Sequence, residues 1–332
     1  MNLLPHPPGI DVPLFDLVQD DLEEVERRLK LEALCKRPLI AEINHYLHDS
    51  GGKRLRPALL LLSAHHCGAP AETAIRLGVV VELIHVATLV HDDIIDRADL
   101  RRGRPSVNAR WGNDVTVLFG DWLYMTAFWI ALQERKFEIL DILIDVTRRM
   151  VEGELIQLER KHRLDITESE YLEICRHKTA YLFSSCAQLG AVAAEQPREL
   201  AERMASFGCA LGMAFQLTDD LLDFTADESV LGKPVLKDLE EGNVTLPFIE
   251  MMKRAPEEDR RFLQSMVQER RYTPENMRRV MRLVRVTGAL QFAQSEAERY
   301  AAEASHHLED LPETPYLKVL RTLPNVIVHR RK

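Results

Sequence analysis

Two aspartate-rich segments of the same form stand far apart in this chain, Asp92-Asp93-Ile94-Ile95-Asp96 and Asp219-Asp220-Leu221-Leu222-Asp223. Each places carboxylates four residues apart inside an otherwise apolar stretch. On a helix rising about 1.5 Å per residue, positions i and i+4 lie one turn apart on one face. Carboxylates so placed repel one another and pay for lost hydration unless a cation joins them. Oxygen-only donors suit Mg²⁺, which keeps several waters and takes one or two carboxylates together with substrate phosphates. Asp92, Asp96, Asp219 and Asp223 are therefore the candidate metal ligands. Two facing boxes would cage a metal-bridged diphosphate.

A run of acids on a helix is commonly a solvated face. The flanks argue otherwise here. Leu77 to Val90 leads into the first box and Cys209 to Leu217 into the second, both nearly apolar all round, as in a buried helix. Both boxes are expected to close buried helices and to line an interior cavity.

Basic groups answer the carboxylates. Gly51-Gly52-Lys53-Arg54-Leu55-Arg56-Pro57 opens a helix, where glycine permits close backbone approach and the helix N-terminus favours an anion. Arg97-Ala98-Asp99-Leu100-Arg101-Arg102-Gly103-Arg104-Pro105 follows the first box, and Gly232-Lys233-Pro234-Val235-Leu236-Lys237-Asp238 follows the second. Arginine grips phosphate bidentately and lysine acts as a point charge. His177-Lys178-Thr179 lies mid-helix, and Gln216 precedes Asp219 on the same face. The basic tail His329-Arg330-Arg331-Lys332 reads as a solvated terminus.

The elements that must position these groups are helices. Apolar periodicity predicts them near 15–33, 38–49, 55–66, 72–97, 114–133, 137–162, 167–195, 198–226, 244–254, 257–269, 274–309 with a break near Gly288, and 314–329. Strand-like alternation is absent, and Val79-Val80-Val81 reads as helix in its long apolar setting. Gly and Pro cluster at joints such as Gly51-Gly52, Gly103-Arg104-Pro105 and Gly242. One all-α domain over residues 1–332 is expected, with an irregular N-terminal segment at 1–14.

Bulk composition narrows the function. The 332 residues carry a net charge of −9, 46% hydrophobic and 29% charged residues, an ordinary globular balance without a nucleic-acid footprint. Anions must be held by local basic clusters and metal. Five cysteines, Cys35, Cys67, Cys175, Cys186 and Cys209, form no Cys-x-x-Cys pair and read as reduced, buried and cytoplasmic. The N-terminus lacks signal-peptide character. The longest apolar run, interrupted by Glu82 and His85, is expected to fall short of a membrane span. Any membrane contact is then peripheral.

Taken together, Gly51 to Pro57, the box Asp92–Asp96 with Leu100-Arg101-Arg102-Gly103, the stretch Phe215 to Asp223 and Leu231-Gly232-Lys233 resemble the trans-isoprenyl diphosphate synthase (polyprenyl synthetase) family over residues 40–250. Glu82 to Tyr124 is most similar to the long-chain octaprenyl and solanesyl members. The resemblance implies an all-α bundle around a deep central cavity, the isoprenoid synthase fold, usually as a homodimer. It implies that Asp92 and Asp96 hold Mg²⁺ bridging an allylic diphosphate. Asp219, and Asp223 through water, would hold a further Mg²⁺, giving three per site. Lys53, Arg56, His85 and Arg102 would hold isopentenyl diphosphate. Arg101, Lys178, Thr179, Gln216 and Lys233 would hold the allylic diphosphate, with Lys178 also counted as catalytic. Many relatives carry lysine in the position of Asn243, leaving Lys233 or Lys237 as candidate substitutes.

The chemistry implied is Mg²⁺-dependent prenyl transfer. Loss of diphosphate from an allylic carbon creates a carbocation and an anion, the double bond of isopentenyl diphosphate attacks, and a proton leaves with the departing diphosphate as acceptor. Apolar walls keep water from the cation. Ala87, five residues before Asp92, and Thr88 are small and leave room for a growing chain, while Trp122, Phe128 and Trp129 are candidates for a floor. The product is expected to be a long all-trans polyprenyl diphosphate, C30–C50 and nearest C40, such as a quinone side-chain precursor. Farnesyl or geranylgeranyl diphosphate is the alternative. Rival readings are an HD-type phosphohydrolase built on His91-Asp92, a terpene cyclase, and a non-catalytic subunit of a heteromeric synthase.

Overall fold

The computed structural model describes residues 14–32, 37–48, 54–101, 103–225 and 236–330. They gather into two compact units, the first made of Met1–Thr147, Ser185–Ala205 and Asp310–Arg321, the second of Arg148–Ser184, Ser206–Glu309 and Thr322–Lys332. Both are helical.

The first unit is organised around one apolar helix. It contains α1 (Gln19–Glu32), α2 (Pro38–His48), α3 (Leu55–Cys67), α4 (Ala71–Ile95), α5 (Val107–Trp111), α6 (Asn113–Leu132) and the start of α7 (Phe137–Arg160). Helix α4 packs against α1, α3 and α6, which buries residues on every side of its first four turns. Glu82, buried within those turns, is paired with Arg54, which also pairs with Glu26. Helix α6 packs against α4, and Phe119, Gly120, Leu123, Ala127 and Ile130 are among its buried residues. A side chain at Gly120 would place its Cβ 2.2 Å from Nε2 of His91, so glycine leaves room for the His91 ring where it now lies.

Helices α4 and α6 are both long and apolar enough to cross a membrane by length and composition, which corrects the expectation that no segment reaches that mark. The reason in α4 is core burial: 67% of its apolar window is buried inside the protein, and a mostly buried core helix has a span-like composition.

In the second unit, the remainder of α7 precedes α8 (Glu168–Cys175) and a π-helical segment (Arg176–Ala180); α9 (Tyr181–Ala193) begins there and continues into the first unit. Helix α10 (Arg198–Thr225), which begins in the first unit, carries the second box. A short α11 (Lys237–Glu240) leads to α12 (Leu246–Arg254), α13 (Glu257–Gln268), α14 (Pro274–Val286) and α15 (Ala289–His306), and α16 (Pro315–His329) begins in the first unit and ends in the second. Helix α8 opens on a reciprocal capping box between Thr167 and Glu170.

The helix pattern follows the periodicity closely, including the break at Gly288. Three local features depart from it. Leu100–Arg101 and Arg104–Pro105 pair as a minimal antiparallel hairpin rather than a plain loop. Helices α5 and α11 are too short to show a period. The expected helix over 167–195 is interrupted by the π segment at 176–180, whose extra residue per turn leaves no mark in an apolar pattern.

Candidate active site

Toward the end of α4 a stripe of partly exposed residues runs along one face, while Val86, His91, Ile94 and Ile95 are accessible off that stripe. His85, Thr88, Leu89, Asp92 and Asp96 are partly exposed, whereas Ile84, Ala87, Val90 and Asp93 are buried. Spacings of three and four put the stripe on one face. Asp92 and Asp96 thus present carboxylates one turn apart. Asp93, only 2% exposed, turns inward and accepts a hydrogen bond from Nε of Arg101 at 2.7 Å. The helix ends within the box in a left-handed Arg97, where the Ala98 amide donates to Asp93 O at 2.9 Å. Ser106 accepts Ala109 N–H to start α5 and donates to Ala98 O, tying the hairpin back to the box. Arg101 is therefore held from both strand and helix beside Asp92 and Asp96.

Arg56 and His85, both assigned to isopentenyl diphosphate, meet each other at 3.1 Å between a guanidinium nitrogen and Nε2. Arg54, two residues before Arg56, points into the core with Glu82 and Glu26 and has a structural role. Lys53, Arg102 and Lys233, the other basic candidates, lie outside the described residues.

The second box repeats the logic of the first. Asp219 is exposed and Asp223 partly so, while Asp220 is 6% exposed. Asp220 accepts from the Tyr171 hydroxyl at 2.5 Å and from the Gln216 amide at 2.7 Å. Gln216 in turn accepts from the Thr179 hydroxyl at 2.6 Å. Burial pushes the Asp220 carboxyl up to about 7, with the charges of Asp219 and Asp223 adding to the rise. Asp223 accepts the backbone amides of Lys237 and Asp238 at 3.2 Å each, which organises the start of α11. Burial raises its carboxyl as well.

Lys178 lies in the π segment and meets two side chains of α7, Gln157 Oε1 at 2.6 Å and Glu154 at 2.8 Å. A Cβ at Gly153 would come within 2.6 Å of the His177 Cβ, so glycine is what lets α7 run this close to the π segment. Gln157 also donates to Asn243 at 2.7 Å. Lys237, a candidate substitute for a lysine at 243, is paired with Glu241 at 2.6 Å.

Other sequence readings are revised. Arg330 is not a solvated tail residue: its side chain is 3% exposed, bonds Asp219 at 2.5 Å and Phe215 O at 3.0 Å, and lies 4.0 Å over the Phe215 ring. A basic terminus carries no sequence signal for such docking. Trp129, 60% exposed on the outer face of α6, is not an internal floor, and Trp122 stacks on Phe119. Thr88 lies on the accessible stripe, but Ala87 is fully buried. His91 contacts Val117 O and Asp121 of α6 and does not join Asp92 in a hydrolase-like pair. Tyr171 and Gln157 were missed, since each acts through a partner distant in sequence.

The donor set fits Mg²⁺. In the first box the outer carboxylates Asp92 and Asp96 are partly exposed and Asp93 is buried against Arg101; in the second Asp219 is exposed but paired with Arg330, both Asp223 oxygens accept backbone amides, and Asp220 is buried against Tyr171 and Gln216. Among the described residues no three His, Cys, Asp or Glu side chains converge as a ready-made cage. Mg²⁺ does not require one, because substrate phosphates and water complete its shell.

Comparison with known proteins agrees with this chemistry. The Polyprenyl synthetase family profile matches residues 37–284. The chain is 33% identical over 315 residues to octaprenyl diphosphate synthase of Escherichia coli, covering 95% of this chain and 97% of that one. It is also 33% identical over 320 residues to geranylgeranyl diphosphate synthase of Saccharolobus solfataricus, covering 94% and 96%. A crystal structure of polyprenyl synthase from Caulobacter crescentus, complexed with calcium and isoprenyl diphosphate, superposes with a TM-score of 0.92 at 34% identity, covering 99% of this chain and 100% of that one.

Proposed function

The chain belongs to the polyprenyl synthetase family of prenyltransferases, and from that premise we propose that it extends an allylic diphosphate with isopentenyl diphosphate into a long all-trans polyprenyl diphosphate of about C40. The observation that carries the reading is the division of labour within each box. Asp92, Asp96, Asp219 and Asp223 keep partial or full exposure, the last two while also paired with Arg330 and with backbone amides, and the buried Asp93 and Asp220 orient the diphosphate-binding candidates Arg101 and Gln216–Thr179.

In this reading Asp92, Asp96, Asp219 and Asp223 hold Mg²⁺, three ions per site, and bound Mg²⁺ neutralises the charge that develops on the departing diphosphate. Arg101, Lys178, Thr179 and Gln216 orient the allylic diphosphate. Arg56 and His85 receive the diphosphate of isopentenyl diphosphate. No side chain is needed as general base, because the released diphosphate can accept the proton.

The two units are taken as parts of one catalytic domain, supported by a single family profile that runs through both. A homodimer is proposed on the apolar outer face of α6, where Leu118, Met125, Trp129 and Leu132 stand exposed at helical spacing. A cytoplasmic setting, with peripheral membrane contact at most, is proposed on the free thiols Cys67, Cys175, Cys186 and Cys209. Burial pushes Cys67 up to about 11 and Cys186 up to about 12, which keeps both unreactive. Long product length rests on the small residues near Asp92; relatives that make shorter chains leave geranylgeranyl diphosphate as the second reading.

The test is mass spectrometry of products made by the purified chain from geranyl or farnesyl diphosphate, isopentenyl diphosphate and Mg²⁺. Products of C30 or longer are expected. Products ending at C15 or C20 would overturn the long-chain reading, and absence of condensation by the folded chain would overturn the reading as a self-sufficient synthase.

A further inference from the structure

Lys178 is held by a relay that ends outside the motifs. Its ammonium donates to Oε1 of Gln157 at 2.6 Å and pairs with Glu154 at 2.8 Å. Gln157 and Glu154 lie three apart on α7, on one face. An ammonium has no acceptor, so the Gln157 carbonyl must face Lys178 and the Gln157 NH₂ must face away. That NH₂ donates to Oδ1 of Asn243 at 2.7 Å. The relay therefore runs in one direction only: Lys178 to Gln157 to Asn243. Its far end needs an acceptor.

Asn243 is itself fixed. Its amide donates to Asp238 O at 2.8 Å, and the preceding carbonyl, of Gly242, accepts His162 N–H at 2.8 Å. The loop after α11 is thus tied to the end of α7, the helix that carries Gln157. Lys178 has little freedom at its backbone too, since it lies in a π turn packed against Gly153. A partly buried lysine with four rotatable side-chain bonds loses much of its rotamer entropy when ordered. Groups that pre-order it reduce what a diphosphate must supply on binding.

We propose that Asn243 is a positioning residue for Lys178, acting through Gln157, and that it sets affinity for the allylic diphosphate. The proposal rests on the assignment of Lys178 to that substrate. It gives residue 243 a chemical requirement, an acceptor, that a lysine cannot meet. A lysine there would compete with Lys178 for Gln157 Oε1 rather than stand in as a second phosphate ligand.

The test uses the full chain with Asn243→Leu, Asn243→Asp, Asn243→Lys, Gln157→Leu and the Leu/Leu double variant. Steady-state KM is read for geranyl diphosphate and for isopentenyl diphosphate, with kcat and Tm. Calorimetric binding of inorganic diphosphate with Mg²⁺ is read in the same proteins. Asn243→Leu should raise the allylic KM roughly five- to tenfold, the worth of one hydrogen bond, and leave the isopentenyl diphosphate KM within about twofold. Asn243→Asp keeps the acceptor and should restore the allylic KM, whereas Asn243→Lys should not. The double variant should be no worse than Gln157→Leu alone, since both act through one path. Additive effects in the double variant, equal shifts in both substrates, or a Tm loss that Asn243→Asp does not recover would overturn the relay. If the wild-type chain binds diphosphate in the predicted variant order but forms no prenyl product, the relay stands and the prenyltransfer reading falls.

Discussion

Arg56 of α3 and His85 of α4 touch through their polar ends, with a guanidinium nitrogen 3.1 Å from Nε2 of the imidazole. A guanidinium only donates, so Nε2 accepts and the ring proton sits on Nδ1. The contact aims two phosphate-binding candidates at one place before any ligand arrives. Arg56→Ala should raise the KM for isopentenyl diphosphate about 10- to 100-fold, the range of a lost charge-assisted bond, and change the allylic KM much less. Equal increases for both substrates would show that the two diphosphates are not divided in this way.

Arg54 should behave differently from its neighbour. It neutralises Glu82, which is buried in the middle of α4. Arg54→Ala strands that carboxylate and should cost about 3–5 kcal/mol of stability. Arg54→Ala/Glu82→Leu should recover a large part of it. Chemical denaturation measures both, and an Arg54→Ala protein as stable as wild type would contradict the buried pairing.

Asp92→Asn removes a candidate metal charge without changing shape. Turnover should fall on the order of 10²-fold or more, as on removing one preorganised electrostatic contact, while circular dichroism stays unchanged. Asp93→Asn should act indirectly, by releasing Arg101, and should therefore raise the allylic KM as well. A folded Asp92→Asn enzyme with near-normal turnover would remove Asp92 from the metal set.

The residue that limits product length is better sought at Thr88 than at Ala87. At about 100° per residue, Thr88 lies about 40° from Asp92 around α4 and Ala87 about 140° away, on the side of His91, which meets α6. Thr88→Tyr should shorten the product to C15–C20 with condensation retained. Ala87→Tyr overpacks a site with no exposure and should first cost about 1–3 kcal/mol of stability. Product chromatography and thermal melts of both variants separate the two effects. An unchanged product spectrum from an active Thr88→Tyr enzyme would place the growing chain elsewhere.

Arg330 occupies Asp219 through an ion pair whose carboxylate is half exposed. Mg²⁺ must displace it to use both oxygens. Arg330→Ala should lower the half-saturating Mg²⁺ concentration by about two- to fivefold, the worth of a partly exposed pair. An increased Mg²⁺ requirement would mean that Arg330 assists metal–diphosphate binding instead.

Much of this protein is legible in its amino-acid sequence. The spacing of four in both boxes, the apolar helices leading into them and the glycine-basic loops are local patterns, and local periodicity is what an amino-acid sequence displays directly. The helix register, the break at Gly288 and the family membership all follow from such patterns. The π turn at 176–180 was not legible, because one extra residue in a turn leaves the surrounding apolar pattern intact.

What the tertiary structure alone decided is which member of each like pair does which task. Asp92 and Asp93 are adjacent carboxylates, yet one is accessible and the other is buried against Arg101. Arg54 and Arg56 share a loop, yet one neutralises Glu82 and the other meets His85. Arg330 reads as a solvated end, yet it docks on Asp219, 111 residues away in the chain. In every case the outcome depends on a partner from a distant segment. Burial and pairing are properties of packed neighbours, and residue type and spacing along one segment do not contain them.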